Sequence, residues 1–327
     1  MESEVIKFLI SENDENQRLD KFLKKYLRNA PLSHIYKLIR KDIKVNGKRE
    51  NPETVLYFGD EIVLYISEED EKVFRMNKEH SKQKKQFSIA YEDSNLIIVS
   101  KPFGLLTHGD SFEKKKTLAN QVMGYLIENG EYSPSEKSFT PAPANRLDRN
   151  TTGLVIFGKT SAALKNVNLM IKERNHIRKY YSTIVFGEIK KDLVLKGRLE
   201  KDEVQNKAII LKQEDKAGKE IETVVRVIEK AKGFTFVEVE LITGRTHQIR
   251  AHLAHAGYPI IGDIKYGNKK LNSEISKKYG LTTQILHAEK LYFDEMLPHF
   301  EYMSGVTVKA ELPKEFLEIK QAIFANK

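Results

Sequence analysis

The chain has 327 residues, enough for two domains with a sizeable core, of which 40% are hydrophobic and 31% charged. Cysteine is absent, which excludes disulfides, thiolate zinc sites and cysteine nucleophiles and is typical of a cytoplasmic protein. No apolar run is long enough to span a bilayer and the first residues are acidic, so we expect neither a membrane protein nor a secretory signal.

The net charge of +9 is concentrated near the N-terminus. The window from Arg18 to Arg49 holds eleven basic side chains and two acids, so this window carries the whole net charge. A patch of one sign predicts contact with a polyanion, because the solvated faces of helices usually mix both signs. Nucleic acid is the first interpretation and an anionic membrane surface the second, although the segment is too well patterned for a simple basic anchor. The alternative is that these charges only solvate two helices.

The same window has the pattern of a compact module. Apolar residues at helical spacing predict a helix over 19–27 and a second helix capped by Ser33. The pair Asn46-Gly47 suits a tight turn with positive φ and predicts a hairpin, and a last strand is predicted over 61–66. We therefore predict a small N-terminal α/β domain over 12–66.

Two changes of pattern follow the module. Residues 67–86 are acidic and then polar and basic without periodicity, which predicts a linker. From 87 to 327 we predict a second domain in which strands predominate. The predicted strands are 96–99, 154–157, 180–186, 209–211, 223–228 and 234–241, and the predicted helices are 118–127, 162–171, 248–256 and one from 314. This series favours class α+β with a mixed, mainly antiparallel sheet flanked by helices over a doubly wound α/β fold, and no glycine-rich phosphate loop appears.

Two dense polar runs mark the large domain. Asn145–Gly153 (NRLDRNTTG) places Arg146 and Asp148 two residues apart in a loop that leads into a buried strand. A second run (TGRTHQIR) ends at Arg250 and contributes two arginines. Such a loop can hold a carboxylate in a cleft, and an arginine can keep it ionised. From spacing alone, a structural salt bridge is an equally good interpretation.

Three histidines, His247, His252 and His255, lie within nine residues and suggest a metal site. Only His252 and His255 fall on one face of the predicted helix, and the helix contains no acid, although Asp263 follows it. We therefore favour histidines with structural partners and predict no metal. A metal-dependent RNA hydrolase that uses His252, His255 and Asp263 is kept as a rival, which chelators and RNA cleavage would reveal.

Several motifs follow one another in a fixed order after the basic module. They are KPFGLLTH from Lys101, the run from Asn145 to Gly153, KYY from Lys179, LITGRTHQIR ending at Arg250, GYPIIGD ending at Asp263 with Tyr266-Gly267, and LHA from Leu286. In this order they closely resemble the RluA-type family of pseudouridine synthases over nearly all of 87–300. The module resembles the small RNA-binding domain first described in ribosomal protein S-four. The combination most resembles the C-type branch of the family, which modifies large-subunit ribosomal RNA.

The resemblance implies isomerisation of uridine within RNA, a reaction without redox change or net hydrolysis, and therefore without cofactor or metal. Asp148 matches the family's catalytic carboxylate, Arg250 the guanidinium that pairs with it, and Tyr181 the active-site tyrosine. Arg146 matches the arginine that fills the stack vacated by the flipped nucleotide. Ile249 is a candidate for the apolar floor of the pocket, with ordinary core packing as the alternative.

Basic side chains supply the predicted RNA contacts. Lys101 and Lys179 are weaker candidates, for contacts with backbone phosphates. The candidates in the module are Arg18, Lys21, Arg40, Lys41 and Lys44.

Two positions depart from the family pattern. Most members have histidine where this chain has Asn145, and asparagine cannot carry a proton at neutral pH. We therefore assign that position no acid or base role. Thr152 stands where the family often has serine, so the hydroxyl is retained.

The expected partner is RNA, with ribosomal RNA as the first choice. Transfer RNA is the alternative substrate, and a non-catalytic RNA-binding ribosome-assembly factor is the alternative function. We expect a cytoplasmic monomer.

Overall fold

A computed structural model describes residues 5–75, 83–133, 138–202, 207–211 and 214–325. The helices are α1 (Leu19–Tyr26), α2 (Leu32–Lys41), α3 (Glu68–Arg75), α4 (Leu118–Glu128), α5 (Ser161–Glu173), α6 (Gln248–His255), α7 (Lys269–Tyr279) and α8 (Lys314–Phe324). The strands are β1 (Val5–Leu9), β2 (Gln17–Arg18), β3 (Ile43–Val45), β4 (Val55–Leu56), β5 (Glu61–Tyr65), β6 (Ser88–Glu92), β7 (Leu96–Lys101), β8 (Ala142–Pro143), β9 (Thr152–Gly158), β10 (Ile177–Phe186), β11 (Leu193–Asp202), β12 (Lys207–Leu211), β13 (Lys219–Ala231), β14 (Phe234–Leu241), β15 (Leu286–Phe293) and β16 (Thr307–Lys309). None of these helices has the length and apolar character needed to cross a bilayer.

The N-terminal module packs α1 and α2 on a three-stranded sheet in which β5 lies between β1 and β3. Both helices bury one apolar face, so the helical periodicity read from the sequence is confirmed. Asn46 and Gly47 both have positive φ, as the predicted turn requires. The cap prediction is wrong, because α2 already begins at Leu32 and Pro31 occupies the capping position ahead of Ser33.

The module extends beyond 12–66 at both ends. β1 precedes residue 12 and pairs antiparallel with β5. α3 lies inside the predicted linker and packs on α1, where the Arg75 guanidinium sits 4.5 Å from the centre of the Tyr26 ring and Glu71 accepts the Tyr26 hydroxyl. The acidic run therefore forms a docked helix, and residues 76–82 of the predicted linker lie outside the described residues.

Buried polar contacts join the module to the large domain. The fully buried Asp14 carboxylate accepts from the Ser138 amide at 3.0 Å and from the Ser138 hydroxyl at 2.6 Å. Gln17 donates to the same hydroxyl at 2.8 Å. Removing Asp14 would leave the buried Ser138 amide and hydroxyl without their acceptor, so these bonds fix where the module sits.

The large domain is built on one sheet in the order β12-β11-β13-β14-β10-β15-β9-β7-β6, with β16 beside β15 and β8 beside β9. Among the described strands only β9 and β15 run parallel, so the predicted α+β class with a mixed, mainly antiparallel sheet is confirmed. β9 sends Val155 and Phe157 into one core and Leu154 and Ile156 into another. Burial on both faces explains why this strand is apolar throughout.

A glycine allows β9 to approach β15 closely. Gly153 pairs with Ala288 and has φ of +105°, and a Cβ at this position would lie 2.1 Å from the Ala288 carbonyl oxygen. The pair before Gly153 and Ala288 is formed by Thr152 and His287, and the Thr152 hydroxyl contacts His287 Nδ1 at 2.7 Å. His287 Nε2 faces the Ala310 carbonyl, so Nδ1 accepts the threonine proton. These contacts fix the start of β9, and with it the polar loop that precedes the strand.

Candidate active site

Asp148 lies in the loop that enters β9, and other parts of the chain hold this loop in place. The buried Thr107 hydroxyl bonds both the amide and the carbonyl of Leu147, at 3.2 and 3.1 Å. The Lys101 ammonium, also buried, donates to the Arg149 carbonyl at 2.9 Å. Both neighbours of Asp148 are thus anchored through their backbones, and its side chain remains 26% exposed. The carboxylate is therefore positioned by the loop and still reachable.

Arg250 joins Asp148 to a second carboxylate. Its Nη1 donates to Asp148 Oδ2 at 3.0 Å across 102 positions of sequence. Its other edge binds Asp263 through Nε at 2.7 Å and Nη2 at 3.0 Å. Asp263 is only 1% exposed, so this two-point ion pair is almost completely removed from water. The sequence expectation that Asp148 and Arg250 meet in a cleft describes the geometry observed.

The two buried members of this triad shift one another's pKa. Burial alone would lower the pKa of Arg250, but the hydrogen bonds and charges of Asp263 and Asp148 raise it overall. Burial would likewise raise the pKa of Asp263, but Arg250 and the amides of Lys265 and Tyr266 lower it overall. Both groups stay charged near neutral pH, and the guanidinium that faces Asp148 is permanently positive.

The contacts made by Asp148 fall on one of its two oxygens. Within the described residues, Arg250 Nη1 and His247 Nε2 both approach Oδ2, at 3.0 and 3.7 Å. Asp263 occupies the two-point edge of the guanidinium, so Asp148 receives a single strong hydrogen bond. Oδ1 is the oxygen left to face a reactant.

A short relay sets the orientation of His247. The Ala208 amide donates to the Tyr266 hydroxyl at 2.8 Å, and that hydroxyl contacts His247 Nδ1 at 2.9 Å. The hydroxyl proton is then given to Nδ1, so the neutral ring carries its own proton on Nε2, the atom that faces Asp148. Burial lowers the pKa of His247 although the Asp148 charge opposes this, so the ring is neutral near pH 7.

Tyr181 is buried on β10, two strands from the start of β9. It pairs with Ala288 of β15, which in turn pairs with Gly153. Burial raises the pKa of Tyr181, and the nearby Asp148 charge raises it further. The phenol therefore keeps its proton near neutral pH.

A cavity of about 460 Å³ opens beside the triad. Asp148, His247 and Arg250 line it, together with the lysines Lys207 and Lys265. The volume falls within the range of small-molecule pockets, about 300–1,000 Å³. The walls carry cations around one reachable carboxylate, which suits a polar ligand attached to a negatively charged chain.

Two predicted phosphate contacts do not fit their surroundings. Lys101 is buried, and its ammonium group donates hydrogen bonds to the carbonyls of Pro102, Leu105 and Arg149 at 3.1, 2.8 and 2.9 Å. Burial lowers its pKa to about 7, opposed by the Asp148 charge. Lys179 is also buried, which lowers its pKa. We drop the phosphate role for both lysines, because a phosphate contact requires an ammonium that solvent can reach.

Other predicted residues occupy more open or purely structural positions. Arg146 is exposed beside the Asp148 loop. Asn145 uses its amide on the backbone of β9, accepting from the Ile156 amide at 2.9 Å and donating to the Leu154 carbonyl at 3.3 Å. This position therefore holds the strand and needs no proton transfer. Ile249 is buried in the core cluster.

The basic residues of the module differ in their contacts with other side chains and in their exposure. Arg18 forms ion pairs with Asp20 at 3.1 Å and Glu53 at 3.3 Å, and Lys44 lies over the Tyr65 ring at 5.5 Å. The remaining candidates are exposed on the helices and are Lys21, Arg40 and Lys41.

The rival metal site lacks a ligand set. Asp263 gives both oxygens to Arg250, and His252 is buried against the Thr223 hydroxyl at 3.0 Å. Nowhere in the described ranges do three or more His, Asp or Glu side chains gather as metal ligands would. His247 and His252 have hydrogen-bond partners, and His255 is exposed.

From the sequence, Asp263, His247 and Tyr266 had no assigned role beside Asp148, and Asp263 and His247 were considered only as metal ligands. The signal was present, since GYPIIGD with Tyr266-Gly267 belongs to the recurring motifs. Gly267 lies so close that a Cβ there would stand 2.3 Å from the Asp263 carbonyl oxygen, so this turn requires glycine. The motif aspartate followed by this glycine was the signal in the sequence.

Comparison with known proteins shows the family of this chain. The family model described as RNA pseudouridylate synthase matches residues 95–255. The chain is 33% identical over 290 residues to ribosomal large subunit pseudouridine synthase C of Buchnera aphidicola subsp. Baizongia pistaciae, covering 87% of this chain and 88% of that protein. It is 32% identical over 289 residues to the protein of the same name from Vibrio vulnificus, covering 87% of each.

A solved structure supports the fold. Human RNA pseudouridylate synthase domain containing 4 superposes with a TM-score of 0.57 at 23% identity, covering 72% of this chain and 92% of that chain. The match at this identity concerns the fold alone, whereas the sequence relatives span both domains. The chain belongs to the RNA pseudouridylate synthase family and is an RNA pseudouridine synthase, an isomerase.

Proposed function

We propose that this protein isomerises uridines of large-subunit ribosomal RNA, with Asp148 as the catalytic carboxylate. The observation that carries the chemistry is the Asp148 carboxylate paired with a buried, permanently charged Arg250 at the edge of a cavity. The choice of RNA rests on the names of the relatives, both of which are ribosomal large subunit synthases. The exposed basic face of the module fits the same polyanion.

The reaction moves one bond and one proton. The bond from uracil N1 to ribose C1′ breaks, the base turns, and a bond from C5 to C1′ forms, while C5 loses a proton and N1 gains one. Asp148 Oδ1 makes the attack, and Arg250 orients the carboxylate through its hydrogen bond to Oδ2. Attack on the ribose, attack on the uracil ring and elimination to a glycal all begin with this carboxylate.

Tyr181 contributes a protonated phenol close enough to Asp148 for the two groups to interact electrostatically. Its raised pKa means that it acts first as a hydrogen-bond donor, and its ring offers a flat surface for the uracil. His247 adds a neutral N–H on the Asp148 side and supports the carboxylate without cancelling its charge.

The target nucleotide has to leave its helix or folded loop, at a cost of a few kcal/mol. Arg146 is exposed two residues before Asp148, where a planar cation can fill the vacated stack. Lys21, Arg40 and Lys41 of the module supply sequence-independent attraction to phosphates. We propose that the enzyme acts as a monomer in the cytoplasm, where ribosomal RNA is assembled.

Pseudouridine mapping by carbodiimide chemistry tests the proposal in cells with and without this gene. We expect one or more ribosomal RNA sites to disappear on deletion and to return with the wild-type chain but not with Asp148→Asn. Loss confined to transfer RNA would overturn the ribosomal assignment. Unchanged maps, with growth restored equally by both chains, would favour the assembly-factor alternative.

A further inference from the structure

The most exposed large apolar side chain of the described residues belongs to Phe112, at 94% exposure. It lies in the loop 108–116 between β7 and α4, which we call the Phe112 loop. A single exposed apolar residue is ordinary on a protein surface. The unusual feature is a fully exposed aromatic ring on a braced loop beside an active site.

Two carboxylates hold the Phe112 loop in one shape. Asp110 Oδ1 accepts from the amides of Phe112 and Glu113 at 2.8 and 2.7 Å. Glu113 accepts from the amides of Lys115 and Lys116, both at 2.8 Å. Backbone amides lower the pKa of both carboxyl groups, so the bracing persists near neutral pH. The ring is thus presented by an ordered loop, and a contact made there would lose little conformational entropy.

The same loop is tied to the catalytic segment. At its base, Thr107 bonds the Leu147 backbone, next to Asp148. Farther along, Asp110 Oδ2 pairs with Arg149 Nη2 at 3.3 Å, on the other side of Asp148. The Phe112 loop is therefore held beside the segment that carries Asp148.

The charged side chains around the Phe112 ring indicate which class of molecule binds there. Lys114, Lys115 and Lys116 are exposed after Glu113 in the same loop, and Arg146 and Arg149 are exposed on the adjoining catalytic segment. Aromatic rings interleaved with cations form the surface that binds unpaired nucleic acid, because bases stack on the rings while phosphates meet the cations. A protein partner of the usual kind would require a larger apolar patch with fewer lysines.

We propose that Phe112 stacks on an unpaired base that neighbours the target uridine, while Lys114–Lys116 contact the phosphates of the same strand. This inference rests on the proposed RNA substrate and adds a binding site outside the reaction cavity. Arg146 fills the place of the flipped nucleotide, whereas Phe112 holds a neighbouring base unpaired.

The chain contains no tryptophan, so Phe112→Trp introduces a single fluorophore at the proposed stacking position. The matched control is Leu317→Trp on α8, where the native side chain is also exposed. We expect unmodified large-subunit ribosomal RNA and single-stranded poly(U) to quench the Phe112→Trp emission, saturating as binding saturates, and to leave Leu317→Trp unchanged. Equal emission with and without RNA would overturn the stacking, as would equal quenching by duplex RNA. A shift of the emission to shorter wavelength that depends on protein concentration and not on RNA would overturn the RNA contact. It would show that the partner of Phe112 is a second copy of the chain.

Activity provides the second arm. Single-turnover tritium release from a ribosomal RNA transcript that contains 5-tritiated uridine reports loss of the C5 proton. We expect Phe112→Ala to raise the enzyme concentration needed for half-maximal rate by about tenfold, with the maximal rate little changed and Phe112→Tyr close to wild type. Phe112→Ala within twofold of wild type would contradict the inference. If the wild-type chain releases no tritium, the proposed function fails, and the fluorescence arm still judges the stacking.

Discussion

The active site and the N-terminal module are both rich in charge, yet they hold it in opposite ways. In the site, Arg250 is buried between two carboxylates and every distance in the triad is 3.0 Å or less. In the module, Lys21 and Lys41 project into solvent from helices whose apolar faces form the core. Paired charges removed from water have fixed positions, whereas exposed charges of one sign create an attractive field without fixed geometry.

This difference separates the tasks of the two regions. Chemistry on one nucleotide requires a carboxylate with a defined partner and direction, because misplacement by about 1 Å can cost about 100-fold in rate. Capture of a long polyanion needs neither, because any phosphate can replace its neighbour. We therefore expect substitutions in the site to have large, specific effects and substitutions in the module to have small effects that depend on salt.

The largest effect should follow Asp148→Asn. The amide is not a nucleophile, so pseudouridine formation should fall by at least about 1,000-fold. RNA affinity and stability should change little, because the side chain is partly exposed and makes only one strong hydrogen bond. Tritium release, filter binding and urea unfolding would measure the three quantities. Residual activity above a few per cent would remove Asp148 from the nucleophile role.

Asp263→Asn should have the next largest effect, on stability as well as rate. It removes the carboxylate that accepts two of the three hydrogen bonds of the buried Arg250, which should cost about 3 kcal/mol of unfolding free energy. The matched control is Asp294→Asn, which breaks an ion pair between Arg178 and Asp294 whose two side chains are 49% and 31% exposed. That control should cost less than about 1 kcal/mol. Equal losses in urea melts would show that burial does not distinguish the two pairs.

Many helices and strands could be predicted from the sequence because the pattern that indicates each of them lies within one short segment. The apolar run of β9, the spacing in α1 and the periodicity of α5 can each be read within a short segment. Local signals were also missed. Leu193, Leu195 and Leu199 alternate along β11, and α7 begins at an Asn268 cap that accepts from two amides.

Parts of the site could not be read locally at all. The pairing of Asp148 with Arg250 spans 102 positions and came from the family resemblance. Whether Lys101 faces solvent or turns inward depends on carbonyls supplied by two separate loops, and the sequence interpretation chose the wrong direction. The orientation of His247 could not be read locally either. Its left-handed φ of 57° before α6 directs its ring towards Tyr266.

Tyr266→Phe tests whether the site depends on proton placement beyond the ion pair. Without the hydroxyl, nothing fixes the His247 tautomer, and the rate should fall by about tenfold. The lowered pKa of His247 keeps the ring neutral above 6.5, so the wild-type rate should be lost only as pH falls through a value below 6.5. The Tyr266→Phe variant lacks the hydrogen-bond donor to His247 Nδ1, which favours protonation of the ring. The fall in rate on the acid side of the profile, the acid limb, should therefore occur at higher pH. A pH–rate profile measures both effects, with Tyr292→Phe on β15 as the control. An unmoved acid limb would contradict the relay.

The smallest effect should come from the module. The pair Lys21→Gln and Lys41→Gln removes two exposed cations without touching the core, so RNA affinity at low salt should fall by about threefold for each phosphate that is no longer neutralised. The slope of log affinity against log salt should become shallower by about one to two units, while the maximal rate on bound RNA stays at the wild-type value. The control pair, Lys172→Gln and Lys314→Gln, removes the same charge from exposed positions on α5 and α8. If both pairs flatten the slope equally, net charge alone attracts the RNA and the module has no special part in binding.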